Sequence, residues 1–222
     1  MAISKLNFNS LNVTPSANLA IGFDSGADDL ETSSGGGAIK FIKKLTASSS
    51  STLSFVDGSA SVVLDSTYKK YMFIFNNIHP ASADANLQVN FSIDAGSNYN
   101  VTKTTTYFMA IHTEADDFAV IGYRDDYDIA QGTGFQILAR SLEGTDADGN
   151  LGGSLQIFNP SSSTYVKHFI ARINSQETSG AGASEDNNIA GYANTTSPVN
   201  AIRFQMSSGN IDDGIIKMYG VS

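Results

Sequence analysis

The stretch "NLQVNFSIDAG" alternates apolar and polar residues and then runs into a turn. A side-chain period of two sets Leu87, Val89, Phe91 and Ile93 on one face and Gln88, Asn90 and Ser92 on the other. Comparable runs follow one another from Ala38 to the C-terminus, among them "STLSFV", "TTTYFMAIHT", "FAVIGY", "LGGSLQIFN", "NIAGYAN", "NAIRFQMSS" and "GIIKMYGV". About a dozen short strands at turn-rich intervals fit an antiparallel sandwich or barrel and little else. The predicted class is all-β: an antiparallel β-sandwich, jelly-roll-like, with an extended N-terminal arm.

Individual runs carry more detail. "YKKYMFIFNNIH" sets Tyr71, Phe73 and Phe75 on one face and Met72, Ile74 and Asn76 on the other, which predicts a central strand buried on both sides. "AIKFIKKLTA" alternates weakly and carries lysines, as an edge strand does. "STYVKHFIARINS" groups Tyr165, Lys167, Phe169, Ala171 and Ile173 against Val166, His168, Ile170 and Arg172. The Asp57-Gly58 pair predicts a hairpin turn between "STLSFV" and "SVVLD". The turn-rich "SSGNIDDG" predicts a closing hairpin between the last two strands, so that the C-terminus is anchored in the sheet. "DIAQGTGFQILARSL" is the one stretch with helical character.

Residues 1–37 read differently. Apolar groups are scattered, an acidic cluster follows at Asp28, Asp29 and Glu31, and "TSSGGG" has the composition of a linker. Such a segment builds no core of its own. Phe8, Leu11, Val13, Leu19, Ile21 and Phe23 are nevertheless too many apolar groups for a solvated tail. The expected organisation is an anchoring arm and linker over 1–37 and a β-sandwich over 38–222.

Charge and composition exclude several classes. The formal net charge is −9, and the basic residues form no cluster longer than a pair. Nucleic-acid binders normally present a basic footprint, so nucleic acid is not an expected partner. No apolar run approaches the roughly 20 residues of a membrane span, and membrane insertion is not expected. There is no cysteine, hence no disulfide or thiolate site. The start of the chain lacks the apolar core of a signal peptide.

Catalytic patterns are weak. His79, His112 and His168 are far apart and show no metal-binding spacing. Asp146, Asp148 and Asn150 give the D-x-D-x-N spacing of a calcium loop, but Gly149 stands one place early and Ile157 occupies the position of the bidentate Glu. Turn chemistry explains the same residues. Tyr99, Tyr123, Asp125, Asp126 and Tyr127 lie in acidic loops where a ligand could be contacted. No cofactor and no catalytic residue is assigned, and an enzyme is not expected.

Three stretches carry a resemblance. "IKKLTASSSSTLSFVDGSASVVLDSTYKKYMFIFNNIHP", "LQIFNPSSSTYVKHFIARI" and "AIRFQMSSGNIDDGIIKMYGVS" together resemble virion-associated proteins of tailed bacteriophages, especially phages of marine bacteria. The resemblance spans Ala38 to the C-terminus. "LAIGFDSGADDLE" is similar to the attachment ends of tail-fibre-like chains. What the resemblance implies is a structural β-sandwich virion component. The expectation is a protein made in the host cytoplasm without a signal peptide and displayed on the virion surface. Its arm would join other virion proteins, and the chain would form a homo-oligomer, a trimer suiting a tail appendage. A tail or fibre role with a host-surface glycan or protein as ligand is favoured. Capsid decoration is the alternative, followed by polysaccharide degradation.

Overall fold

The computed structural model describes residues 20–23, 30–33, 38–178 and 182–222. Two compact units divide the chain, Met1–Ala38 and Ile39–Ser222. In the first, β1 (Ala20–Phe23) pairs antiparallel with β2 (Leu30–Ser33), Phe23 opposite Leu30. Ile21 and Phe23 of the expected arm lie on β1; Phe8, Leu11, Val13 and Leu19 lie outside the described residues.

The second unit is all-β, and every strand pairing is antiparallel. Its strands are β3 (Ile39–Thr46), β4 (Leu53–Val56), β5 (Lys70–Pro80), β6 (Ala85–Ser92), β7 (Lys103–Thr113) and β8 (Ala119–Tyr123), followed by β9 (Gln136–Leu142), β10 (Leu151–Phe158), β11 (Lys167–Glu177), β12 (Ala183–Ala193), β13 (Ala201–Met206) and β14 (Ile211–Val221). Four pairings define the fold: β3 with β14, β4 with β13, β5 with β10, and β6 with β9. Each strand pairs with its counterpart from the other end of the chain, so one long antiparallel ribbon is rolled into two facing sheets. The orders β3-β14-β5-β10 and β4-β13-β6-β9 are those of a jelly roll.

Two hairpins are inserted into that ribbon. β7–β8 falls between β6 and β9, and β11–β12 between β10 and β13. They join each other through an eleven-residue register of β12 against β7 and continue the first sheet past β10. The large sheet therefore runs β3-β14-β5-β10-β11-β12-β7-β8, while the small one keeps four strands. A single pairing, Glu177 with Leu142, links them at the corner between β11 and β9.

Alternation sets the core. Tyr71, Phe73 and Phe75 of β5 and Phe169, Ala171 and Ile173 of β11 are buried, as are Phe55, Phe91 and Phe204 of the small sheet. Phe204 meets Phe73 and Phe75 at ring-centroid distances of 5.5 and 5.2 Å, and Phe91 meets Phe169 at 5.1 Å. These aromatic contacts, two edge-on and one tilted, fasten one sheet to the other.

Several expectations fail for identifiable reasons. The stretch with helical character holds no helix: its second half is β9, and its first half is irregular chain that lines up beside β7. "SVVLD" forms no strand, although Val62 and Leu64 are buried; the Asp57 carboxylate accepts from the Leu64 amide at 2.8 Å and holds the segment as a loop. The last two strands form no hairpin, because in a rolled ribbon β13 and β14 belong to opposite sheets. Ile93 lies beyond the end of β6 and is 42% exposed, whereas Asn90 is fully buried and donates to the carbonyls of Tyr99 and Thr133 at 2.6 and 3.0 Å. Tyr165 precedes β11 and is exposed. Among the described residues the lysine-bearing β3 is an edge strand and β5 is central, but β5 is not buried on both sides: Met72 and Ile74 are half-buried and Asn76 is exposed, because that face is the outer one of the sheet.

Phe204→Ala should destabilise the second unit by about 3–5 kcal/mol in urea unfolding, since it removes a ring shared by Phe55, Phe73 and Phe75. Phe41→Ala, on a half-exposed side chain of β3, should change stability by about 0.5 kcal/mol or less. Similar losses at both positions would contradict this placement of the core.

Candidate functional site

The large sheet is wider than the small one, so the inner faces of β12 and β7 have no strand opposite them. The gap is filled in two ways. The chain from Arg124 to Gly134 crosses beside the first half of β7, with the Thr105 amide donating to the Ile129 carbonyl at 2.8 Å and Lys103 and Gly132 pairing twice. Gln136 fixes it further, accepting from the Thr105 hydroxyl at 2.6 Å and donating to the Tyr127 carbonyl at 2.9 Å.

Behind this segment lies a buried polar cluster. Arg140, on the last strand of the small sheet, points across to β11 and β12, where Nη1 sits 3.4 Å from Glu177 and Nη2 sits 3.0 Å from Glu185. Tyr107 donates to Asn187, and Asn187 donates to Ser175 at 3.1 Å. Tyr127 packs on Tyr107 with ring centroids 5.4 Å apart and lies under the Arg140 guanidinium. Glu185 is fully buried, and its Oε atoms receive no aligned hydrogen bond despite the nearby Arg140. Burial therefore dominates and pushes its carboxyl up to about 7, against the opposing pull of Arg140. Two buried lysines brace the end of the same face: Lys103 donates to the Gly134 carbonyl at 2.6 Å, and Lys167 to Tyr165 and Thr195 at 2.9 and 3.0 Å. Burial pushes Lys103 down to about 8.

Among the described residues, the outer face of the extension gathers several exposed apolar side chains. Tyr123, Phe108 and Asn188 lie side by side across β8, β7 and β12, and Thr106, Ala190 and Ile170 form the next row. Ile121 is 72% exposed, and Phe108, Tyr123 and Ile170 are exposed to 44%, 55% and 51%. Small Ala190 leaves a shallow hollow of about 440 Å³ between Ile170, His168, Tyr192 and the threonines of β7. An exposed Arg172–Asp186 pair, at 2.7 Å, lies beside it. Apolar rows with hydroxyls and one ion pair suit packing against another surface. They supply no nucleophile–base pair.

The residues singled out from sequence scatter. Tyr123, Asp125 and Asp126 come together at the end of β8, where the Tyr123 hydroxyl donates to Asp128. Tyr127 instead turns inward onto Tyr107. Tyr99 is buried on the small sheet under Arg203, whose guanidinium carbon is 3.9 Å above the ring. Asp146, Asp148 and Asn150 are exposed in a turn held by Glu143, which accepts from the amides of Thr145 and Asp146 at 2.5 and 3.2 Å. Among the described residues no three His, Cys, Asp or Glu side chains converge as metal ligands. His79, His112 and His168 stand on β5, β7 and β11. Sequence reading missed Glu185 because it began the strand at Asn188; continuing the alternation back through Asn187 to Glu185 and Ala183 would have placed the carboxylate inside.

No protein-family model matches the chain, and no curated protein matches it.

The shift of Glu185 has a definite sign. A folded-state value raised above the ordinary 4.5 means that the native protein holds this proton longer than the unfolded chain. The contribution is full below 4.5 and is lost as pH rises through about 7. The stability of Glu185→Gln relative to wild type should therefore increase by on the order of 2–3 kcal/mol from acid to mildly alkaline pH. A pH-independent difference in urea unfolding would show that the carboxyl titrates alike in the folded and unfolded chain, and a difference that shrinks as pH rises would show that Arg140 holds Glu185 ionised.

Proposed function

We propose that the protein is a non-catalytic structural component displayed on the surface of a tailed-phage virion, associated with the tail or fibre and mounted through its N-terminal segment. The observation that carries the non-catalytic part is the outer face of the extended sheet. The molecule's conspicuous exposed chemistry is apolar and flat, fitted to packing against protein, while its buried charges are committed to Arg140 and to loop carbonyls. The phage assignment rests on the sequence resemblance from Ala38 to the C-terminus. An acidic, cysteine-free jelly roll is compatible with that role, since jelly rolls recur in capsid and lectin domains, but fold alone does not assign it. Capsid decoration is the second reading, because a flat apolar face would also suit a head lattice. A carbohydrate-degrading role has less behind it: Asp125 and Asp126 are exposed beside Tyr123 with no buried carboxylate partner at that turn.

Immunogold labelling of intact particles with antibody against residues 38–222 separates these readings. Tail label is the expected result, and scattered head label would favour decoration. Unlabelled particles that lack the protein by mass spectrometry would overturn the virion assignment.

A further inference from the structure

The large sheet has two ends, and they differ in kind. At one end β8 pairs only with β7 among the described residues, leaving its other edge open. Its sequence, AVIGY, contains no charge and no proline, and Val120, Ile121 and Tyr123 are 39%, 72% and 55% exposed. Unguarded apolar edges of this sort template pairing with another chain. At the other end β3 pairs, among the described residues, only with β14, and exposes Ile39 and Phe41 at 55% and 52% among Lys40, Lys43 and Lys44.

Charge decides between the partners that β8 could take. Asp116 and Asp117 precede it, and Asp125 and Asp126 follow it, past Arg124, whose Nε is buried. A symmetric β8–β8 pairing would bring the leading acidic pair of each copy against the trailing pair of the other, which is repulsive at both ends. A β3 strand from a second copy brings lysines to both ends instead. Parity agrees: eight antiparallel strands place β8 opposite in direction to β3, so a second copy added in the same orientation continues the antiparallel order. With Ile121 opposite Phe41 of the next copy, Tyr123 falls opposite Ile39, and the exposed apolar groups meet on one face. Lys44 then lies opposite Phe118, next to Asp117, and Lys40 opposite Gly122, on the side of the strand that leads to Asp125 and Asp126.

We propose that copies of this chain associate head to tail, β8 of one copy adding antiparallel to β3 of the next. This deepens the structural reading by naming a second copy as the partner of the extended sheet. It depends on association in solution, whereas the virion assignment depends on particle labelling, so either can fail alone. A head-to-tail contact closes into a ring or continues as a filament. Five paired residues bury less than the roughly 1,200 Å² typical of a stable interface. Association should therefore be weak in free solution and become substantial where copies are held at high local concentration.

The test is sedimentation equilibrium of the full chain from about micromolar to about millimolar concentration. Wild type should gain mass with concentration. Ile121→Lys, which puts a charge on the open edge, and the double change Lys40→Glu with Lys44→Glu, which reverses β3, should each remain monomeric with unchanged circular dichroism. Tyr123→Lys serves in place of Ile121→Lys should the latter misfold. Mixed together, the β8 variant and the β3 variant should form a dimer and nothing larger, because each retains the edge the other has lost. Self-association of the β3 variant at wild-type strength would overturn the proposal in favour of symmetric β8 pairing. Monomeric wild type at all concentrations, or no dimer in the mixture, would overturn it as well.

Discussion

The contact between Arg140 and the two carboxylates of Glu177 and Glu185 is what allows a four-stranded sheet to face an eight-stranded one. A jelly roll normally matches its sheets, and each inner face is covered by the other. Here two inserted hairpins widen one side only, and an apolar inner face on β12 and β7 would have had nothing to pack against. The sequence places Tyr107, Asn187 and Glu185 there beside Met109 and Ile189, with Glu177 on neighbouring β11, and Arg140 reaches over from the last strand of the small sheet to meet the two carboxylates. Buried charge is costly unless paired, and Glu185 shows the strain of incomplete pairing in its raised carboxyl. The corner is therefore specified by polar geometry, whereas the body of the sandwich is specified by Phe55, Phe73, Phe91, Phe169 and Phe204.

This division separates scaffold from surface. The rolled ribbon of β3 to β6, β9, β10, β13 and β14 supplies most of the aromatic core, and the inserted hairpins add Phe169 beside Phe91. The hairpins also supply much of the apolar exterior: Phe108, Ile121, Tyr123 and Ile170 all belong to them. A face so placed costs solubility unless it is covered, and the net charge of −9 offsets that cost for the free chain. The contrast between a lysine-bearing edge at β3 and an uncharged edge at β8 makes the same sheet polar in the directional sense. Such an object repeats naturally, which is why a structural role is preferred here to a catalytic one.

Much of the scaffold was legible in the alternation. The period of two located most of the strands, and the lysines of β3 marked an edge, because both signals are local. What was not legible depends on distant partners. Asn90 and Ser92 sit on the polar side of their strand and are nonetheless buried, since the loop carrying Tyr99 folds over them. The last two strands are adjacent in sequence and in opposite sheets, a property of the roll that no hairpin rule contains. Tyr99 and Tyr127 looked like loop aromatics and are packing residues, while Tyr123, Asp125 and Asp126 do share one exposed turn. The polar corner was invisible because Arg140 stands 37 residues before Glu177 and farther still from Glu185, and each looks ordinary alone.

The central claim is that the large sheet of one copy continues into the next through edges of opposite character. Backbone amide hydrogen exchange, followed strand by strand as protein concentration is raised, tests it most directly. Head-to-tail pairing predicts that amides of β8 and β3 slow together with concentration, while those of central β5 stay protected and unchanged. Slowing at β8 without β3, or no concentration dependence at either edge, would contradict it.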